Sequence, residues 1–330
     1  TYPYRNLAME EYMTLHVPQG TCILYLWQNR HTVVIGKNQN CWRECRVNFL
    51  EQENGYLVRR LSGGGAVFHD LGNLNFTFIV GAGDYDVSRQ LDVILEAVRS
   101  LGIHAEKTGR NDITVDGRKF SGNAFYRTGD GCYHHGTILI RADKENMSRY
   151  LNVSKEKLAS KGVTSVKSRV ANLCEFKPDI TLEEVKSALV EAFSKVYGQP
   201  AVRMEEGELP QPDIDARTEK FASWQWKYGR KIPFEYEMEK RFPWGNIQIQ
   251  FHVDEGMIQD VNVFSDAMDQ EMIGMLAEQL KGCAYAEEDI CRAVKAVGTD
   301  AFQAGEYTGA DEPQSCRIKE DIMTLVRESL

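Results

Sequence analysis

The chain has 330 residues, 42% hydrophobic and 26% charged, with a net charge of −9. That is long enough for two domains with sizeable cores, and no apolar run reaches the ~18 residues that a membrane span needs. The charge is uneven: residues 246–330 hold 17 acidic and 6 basic side chains, net −11, against 31 acidic and 33 basic in residues 1–245, net +2. An acidic tail argues against nucleic-acid binding, whose affinity comes largely from phosphate neutralisation, and its simplest role is a solvated surface. The near-neutral first part suits an anionic nucleotide. The opening Thr1-Tyr2-Pro3-Tyr4-Arg5-Asn6 lacks a signal peptide's basic-then-apolar pattern, although the missing initiator Met suggests a trimmed start. Eight cysteines form no CxxC and no metal-ligand spacing, which points to a reducing compartment, the cytoplasm or an organelle matrix.

In chain order, strand patterns fall at Cys22–Trp27 and Thr32–Ile35, then at Gly55–Arg60, Ala66–His69 and Leu74–Val80. Asp86 precedes Val87, Leu91, Ile94, Leu95, Val98 and Leu101 at helical spacing, with Gly102 as the stop. Ile113–Val115 and Arg118–Phe120 flank Asp116-Gly117, a type I′ hairpin signal, and Cys132–Ile140 is a further strand. Thr181 and Glu184 form a capping box for a helix that Gly198 ends. Residues 198–215, with five acids and three prolines, read as a surface excursion, and Arg241–Gly245 as the close of the first domain. A hairpin across Asp254-Glu255-Gly256 and helices near 269–280, 287–297 and 314–325 then make an accessory domain. The expected class is α+β: a mixed, largely antiparallel sheet with packed helices over residues 1–243, and a small C-terminal α/β domain over residues 246–330.

Two segments carry chemistry. RRLSGGGAVFHDLGNLN, Arg59 to Asn75, places three consecutive glycines between strands. Such a turn bends sharply or lies against something with no room for a Cβ. It is no P-loop and no dinucleotide fingerprint, since the Gly-Lys-Ser/Thr and the third spaced glycine are missing. It reads either as an anion-binding nest served by the Arg60 guanidinium or as an ordinary hairpin loop with surface arginines. GRNDITVDGRKFSGNAFY, Gly109 to Tyr126, carries a Lys-x-x-Gly-x-Ala pattern of Lys119, Gly122 and Ala124, a cation leaving a strand beside small residues that let a ligand approach the backbone. The alternative for Lys119 is a solvated surface charge.

With HHGTILI (His134 to Ile140), KGVTSVKSRVANLCEF (Lys161 to Phe176), SWQWKYG (Ser223 to Gly229), RFPWGNIQIQFHVDEGMI and the TYPYRNLAMEEYM opening helix, these segments resemble, in order and spacing, the lipoate-protein ligases. The resemblance implies a biotin/lipoate ligase-like catalytic domain that turns lipoate and ATP into lipoyl-AMP and pyrophosphate. Lipoyl transfer would follow, to a lysine of carrier proteins such as 2-oxoacid dehydrogenase E2 lipoyl domains and the glycine cleavage H protein. It implies that Lys119 contacts both the lipoyl carboxyl oxygen and the α-phosphate. Arg60 and the backbone of Gly65, Ala66, Val67 and Phe68 would hold ATP, while Gly64, Val67, His69 and His135 would line the acyl site. For both histidines the competing role is a hydrogen-bonded core residue. Asn111-Asp112 would help hold Mg²⁺ or simply form a turn. Trp224 and Trp226 are expected in the core, or at a domain interface.

Three rivals stay open. An octanoyl or lipoyl transferase of the same fold would use a cysteine thioester and no ATP, with Cys174 as the thiol nearest the shared motifs. A biotin-protein ligase would need a glycine-arginine-glycine loop, and here the glycines are contiguous. A lipoyl-carrier binding scaffold would keep the pocket but lose the cations.

Overall fold

A computed structural model describes residues 1–108, 112–152, 170–229, 231–298 and 314–330. The expected Asn111 and the stretch Lys161 to Arg169 lie outside the described residues. Two compact units emerge: Thr1–Val34, Trp42–Arg59 and Val67–Lys227 in the first, and Ile35–Cys41, Arg60–Ala66 and Tyr228–Leu330 in the second.

The first unit is built on a six-stranded sheet. Its strands are β1 (Cys22–Trp27), β5 (Asn73–Gly81), β9 (Gly131–Leu139), β8 (Arg118–Arg127), β7 (Asp112–Val115) and β6 (Glu106–Thr108), in that spatial order. Its pairings are all antiparallel. β5 is buried along its whole length, as a strand covered on both faces must be. α1 (Pro3–His16) begins on Pro3, whose missing N–H costs nothing in a first turn. α4 (Val87–Ser100) is capped by the Asp86 carboxylate, which accepts from the Arg89 N–H at 3.0 Å. α5 (Lys144–Tyr150) follows β9. α6 (Leu182–Tyr197) carries the expected capping box between Thr181 and Glu184, a device worth about 1 kcal/mol.

A second small sheet, in the order β3 (Tyr56–Arg59), β2 (Thr32–Ile35), β4 (Val67–His69), settles the nature of the glycine-rich turn. The turn joins β3 to β4, yet β2 lies between them, so the plain hairpin is excluded. α7 (Gln211–Ala222) begins inside the segment expected to be a surface excursion and packs against α1, burying Ile214 and Phe221. Proline at its first turn hid that helix. Among the described residues no helix is long and apolar enough to cross a membrane.

In the second unit, β10 (Tyr236–Phe242), β11 (Gly245–Asp254) and β12 (Met257–Ser265) form an antiparallel sheet. The Phe242-Pro243-Trp244-Gly245 segment is its first hairpin turn, with the Trp244 indole donating to Asp321 at 2.8 Å. α9 (Gln270–Leu280), α10 (Glu287–Ala296) and α11 (Gln314–Ser329) close a core around Ile249, Phe251, Leu276, Ile290, Val294 and Ile322.

Candidate active site

The expected site residues divide between the two units, so each part is built on its own scaffold. In the first unit, Lys119 leaves β8 with its backbone held on both sides. It pairs with Thr114 of β7, its carbonyl accepts from the Ala171 N–H at 2.9 Å, and Val170 bridges it in parallel. Its Nζ lies 2.5 Å from Asp112 Oδ1, both side chains about one-fifth exposed. One residue earlier, Arg118 pairs with Glu175 at 2.6 Å, and Lys144 grips the same carboxylate. Burial raises the Glu175 pKa, but the Asn172 N–H and these two cations outweigh it and hold the carboxyl at about 2.

His69, His134 and His135 are buried, and each has named partners. A hydrogen-bond chain assigns the His69 tautomer. Tyr25 OH donates to Asn6 Oδ1, Asn6 Nδ2 to Asn29 Oδ1, and Asn29 Nδ2 to His69 Nδ1 at 3.2 Å, leaving the ring proton on Nε2. His135 Nδ1 faces Glu10 Oε1 at 2.8 Å, and the same oxygen accepts from Thr77 Oγ1 at 2.7 Å. Glu10 is only 1% exposed on the inner face of α1. Sequence reasoning missed this buried carboxylate. Its signal was an acidic pair, Glu10-Glu11, in the middle of the opening helix, with Leu7 and Met13 among the neighbours of Glu10 on the same face.

His134 is a core residue. It sits between the side-chain amides of Gln90, 3.1 Å from Nδ1, and Asn123, 2.9 Å from Nε2. A neutral ring donates Nε2–H to Asn123 Oδ1 and accepts at Nδ1 from the Gln90 amide NH2, and burial, helped by neighbouring His135, lowers its pKa to about 3. A pH effect follows from the sign of that shift. The unfolded chain binds a proton below about 6.5 that the folded chain refuses until about 3. Stability should therefore be complete above pH 6.5 and fall on acidification by up to ~1.4 kcal/mol per unit. Urea midpoints at pH 7.5 and 5.0 should differ less in His134→Gln, and equal pH slopes would refute the assignment.

Phe68 stacks on Tyr150 at 5.3 Å and is buried, so only its backbone faces any ligand role. Val67 pairs with Val34 and is half-buried. Trp226 packs on Phe221 and donates its indole N–H to Arg59 O at 2.8 Å, while Arg59 returns bonds to Trp226 O and Lys227 O. Trp224, expected in the core, is instead 65% exposed. Cys174 is half-buried in a short turn whose N–H donates to Ile140 O at 3.0 Å.

In the second unit, the glycine-rich turn wraps around its own arginine. Arg60 is 5% exposed and donates to Ser62 Oγ at 3.0 Å, Gly63 O at 2.7 Å and Gly65 O at 2.8 Å. Gly64 adopts φ +87°, a left-handed conformation that glycine alone takes cheaply, and its N–H donates to Ala267 O at 3.0 Å. The segment Ile35–Cys41, which the sequence did not single out, supports the turn. Lys37 N–H donates to Ser62 O at 2.9 Å, and a Cβ on Gly36 would strike the Gly64 carbonyl. Ala66 completes the turn before β4. An anion entering this turn would compete with carbonyls for Arg60.

Comparison with known proteins agrees with this architecture. The family model described as the lipoyl protein ligase A/B catalytic domain matches residues 2–194, and that of the bacterial lipoate protein ligase C-terminus matches residues 231–309. Among solved structures, P. falciparum LipL1 in complex with lipoate is similar at 30% identity and TM-score 0.82, over 97% of this chain and 96% of that one. A bipartite lipoate protein ligase studied with its E2 lipoyl domain, from Thermoplasma acidophilum, matches at 27% identity and TM-score 0.61, covering 70% and 94%. A lipoate-protein ligase A bound with ATP matches at 25% and 0.61, covering 69% and 94%. The fold is that of a ligase with a C-terminal domain. The chain belongs to the lipoate-protein ligase family.

Proposed function

We propose that the chain activates lipoate with ATP and transfers the lipoyl group to a carrier lysine. The observation that carries this reading is Lys119: one ammonium, held 2.5 Å from Asp112 on a strand whose backbone is fixed on both sides. A carboxylate does not acylate an amine at neutral pH, because its leaving group would be an oxide. In the first step a lipoate oxygen attacks the α-phosphorus, the bond to the β-phosphate oxygen breaks, and pyrophosphate leaves. In the second, the carrier lysine's amine attacks the acyl carbon, AMP leaves, and the amine loses its proton. Lys119 serves both reacting groups, drawing carboxylate and α-phosphate together and neutralising charge as it moves onto pyrophosphate. Arg60 and the Gly65–Phe68 backbone hold the nucleotide, while Gly64, Val67, His69 and His135 line the acyl site.

Among the described residues no group of three metal-ligating side chains is found. Mg²⁺ keeps several waters and is held by substrate phosphates plus one or two carboxylates. Asp112 would supply the carboxylate, and the ion would neutralise phosphate charge. The similar structures that hold lipoate and ATP support these two substrates. The archaeal relative with its E2 lipoyl domain supports such a domain as carrier, and the glycine cleavage H protein is a second carrier of the same chemistry. The setting is cytoplasmic salvage of free lipoate. The catalytic domain is taken as residues 1–243 and the accessory domain as residues 246–330, although β10 pairs with β11 and so joins residues 236–242 to the sheet of the second unit.

The test is pyrophosphate release from ATP with lipoate, octanoate or biotin in turn, in the parent chain and in Cys174→Ser. Release with lipoate and transfer to an apo lipoyl domain are expected in both, since adenylate chemistry needs no thiol. Loss of transfer in a folded Cys174→Ser, with a thioester trapped on the parent, would replace this reading by the cysteine-dependent transferase. No release with any acid, and no thioester trapped on the parent, would leave a carrier-binding scaffold.

A further inference from the structure

β7 and β8 hold a device that aims Lys119. The two-residue turn Asp116-Gly117, with φ of 49° and 71°, pairs Val115 with Arg118 and Thr114 with Lys119. Beyond it the register shifts: Ile113 pairs with Ser121 and Asp112 with Gly122, so Phe120 has no opposite residue and forms a bulge. The parity matters. Successive side chains in a regular strand alternate faces, so Lys119 and Gly122, three apart, would point to opposite sides. The extra residue reverses that. Asp112 and Thr114 share one face of β7, and their partners Gly122 and Lys119 therefore share it on β8.

On that face, Gly122 stands directly across from Asp112, where a side chain would reach within about 5 Å of the Asp112 Cβ. The lysine fills the place instead. A Cβ added to Gly122 would lie 2.6 Å from both Cε and Nζ of Lys119, with its next neighbour, Thr137 Oγ1, at 3.9 Å. Apart from Lys119, then, nothing near Gly122 obstructs a methyl group. The geometry points to Gly122 as a positioning residue: with the bulge at Phe120, its absent side chain is the space in which the Lys119 ammonium is held against Asp112. The inference rests on the ligase reading for what the aimed ammonium does.

Gly122→Ala meets only the free end of a flexible side chain, so it should fold and displace the ammonium. Misplacement of a catalytic group by about 1 Å can cost a hundredfold, and pyrophosphate release by Gly122→Ala should fall ten- to a hundredfold in kcat, with lipoate KM changed far less. The deciding measurement is a double-mutant cycle with Lys119→Ala. If Gly122 acts through the lysine, adding Gly122→Ala to Lys119→Ala changes neither residual rate nor urea midpoint, because the obstructed atoms are gone. Should Gly122→Ala alone fail to fold, recovery of folding in the double variant supports the same coupling. Wild-type kcat in Gly122→Ala, or an equal loss in both backgrounds, overturns the inference while leaving the ligase reading intact. Normal pyrophosphate release by Lys119→Ala alone would instead remove the role assigned to the lysine, and the inference with it.

Discussion

Lys119→Ala is expected to fold normally and to release pyrophosphate about a hundredfold more slowly. The lysine's structural contribution is small, because its ion pair with Asp112 is partly exposed, and exposed pairs contribute ~1 kcal/mol or less. Its chemical contribution is larger. On the proposed reading one ammonium would serve two oxygens, on the carboxylate and on the α-phosphate, from a strand position fixed before substrate arrives. Removing a preorganised contact of that kind costs roughly 3 kcal/mol, about a hundredfold in rate. Lys119→Arg should not restore it, since a planar guanidinium does not reproduce a compact point charge. Single-turnover pyrophosphate release, alongside a urea midpoint within error of the parent, checks both halves. Near-normal release would reject Lys119 as the activating cation.

Most strands, the helix caps and the Asp116-Gly117 turn were legible in the sequence because each rests on local chemistry, whereas β6 and β10 were not anticipated. Asp86 and Thr181 announce helix starts whose side-chain bonds the structure contains. Asp116-Gly117 announces a turn whose residues both take positive φ. Relations between distant segments were not legible. Nothing in the pattern around Arg59 says that β2 separates β3 from β4, because strand order depends on pairing across the chain. Glu10 was passed over because a charged residue on a helix defaults to the surface, whereas here Thr77 and His135 satisfy it inside. The bulge at Phe120 leaves no trace in hydrophobic alternation, since Phe120 and Ser121 are both buried. Arg60 is expected from the sequence either to serve an anion or to lie at the surface, yet in the structure it is buried and its guanidinium bonds the carbonyls of the turn that follows it.

Gly36→Ala should damage the glycine-rich turn more than any change to an exposed glycine. The atom it would strike is the Gly64 carbonyl oxygen, with Gly63 carbonyl carbon close behind. Neither can swing aside as a side chain could. Relief requires the turn backbone to move, and that backbone supplies the Gly63 and Gly65 carbonyls that hold Arg60. Forcing a methyl group into such packing typically costs 1–3 kcal/mol, here expected at about the upper end. If the turn cradles ATP, displaced N–H groups should also raise the KM for ATP by about tenfold or more, as small misplacements of positioning groups do. Gly129→Ala is the control: a Cβ there meets nothing within 4 Å, so stability and KM should both stay near the parent's. The measurements are urea midpoints and pyrophosphate release against ATP concentration, corrected for the folded fraction. A Gly36→Ala chain that is destabilised but keeps the parent's KM for ATP would assign the turn to folding alone and move the nucleotide elsewhere.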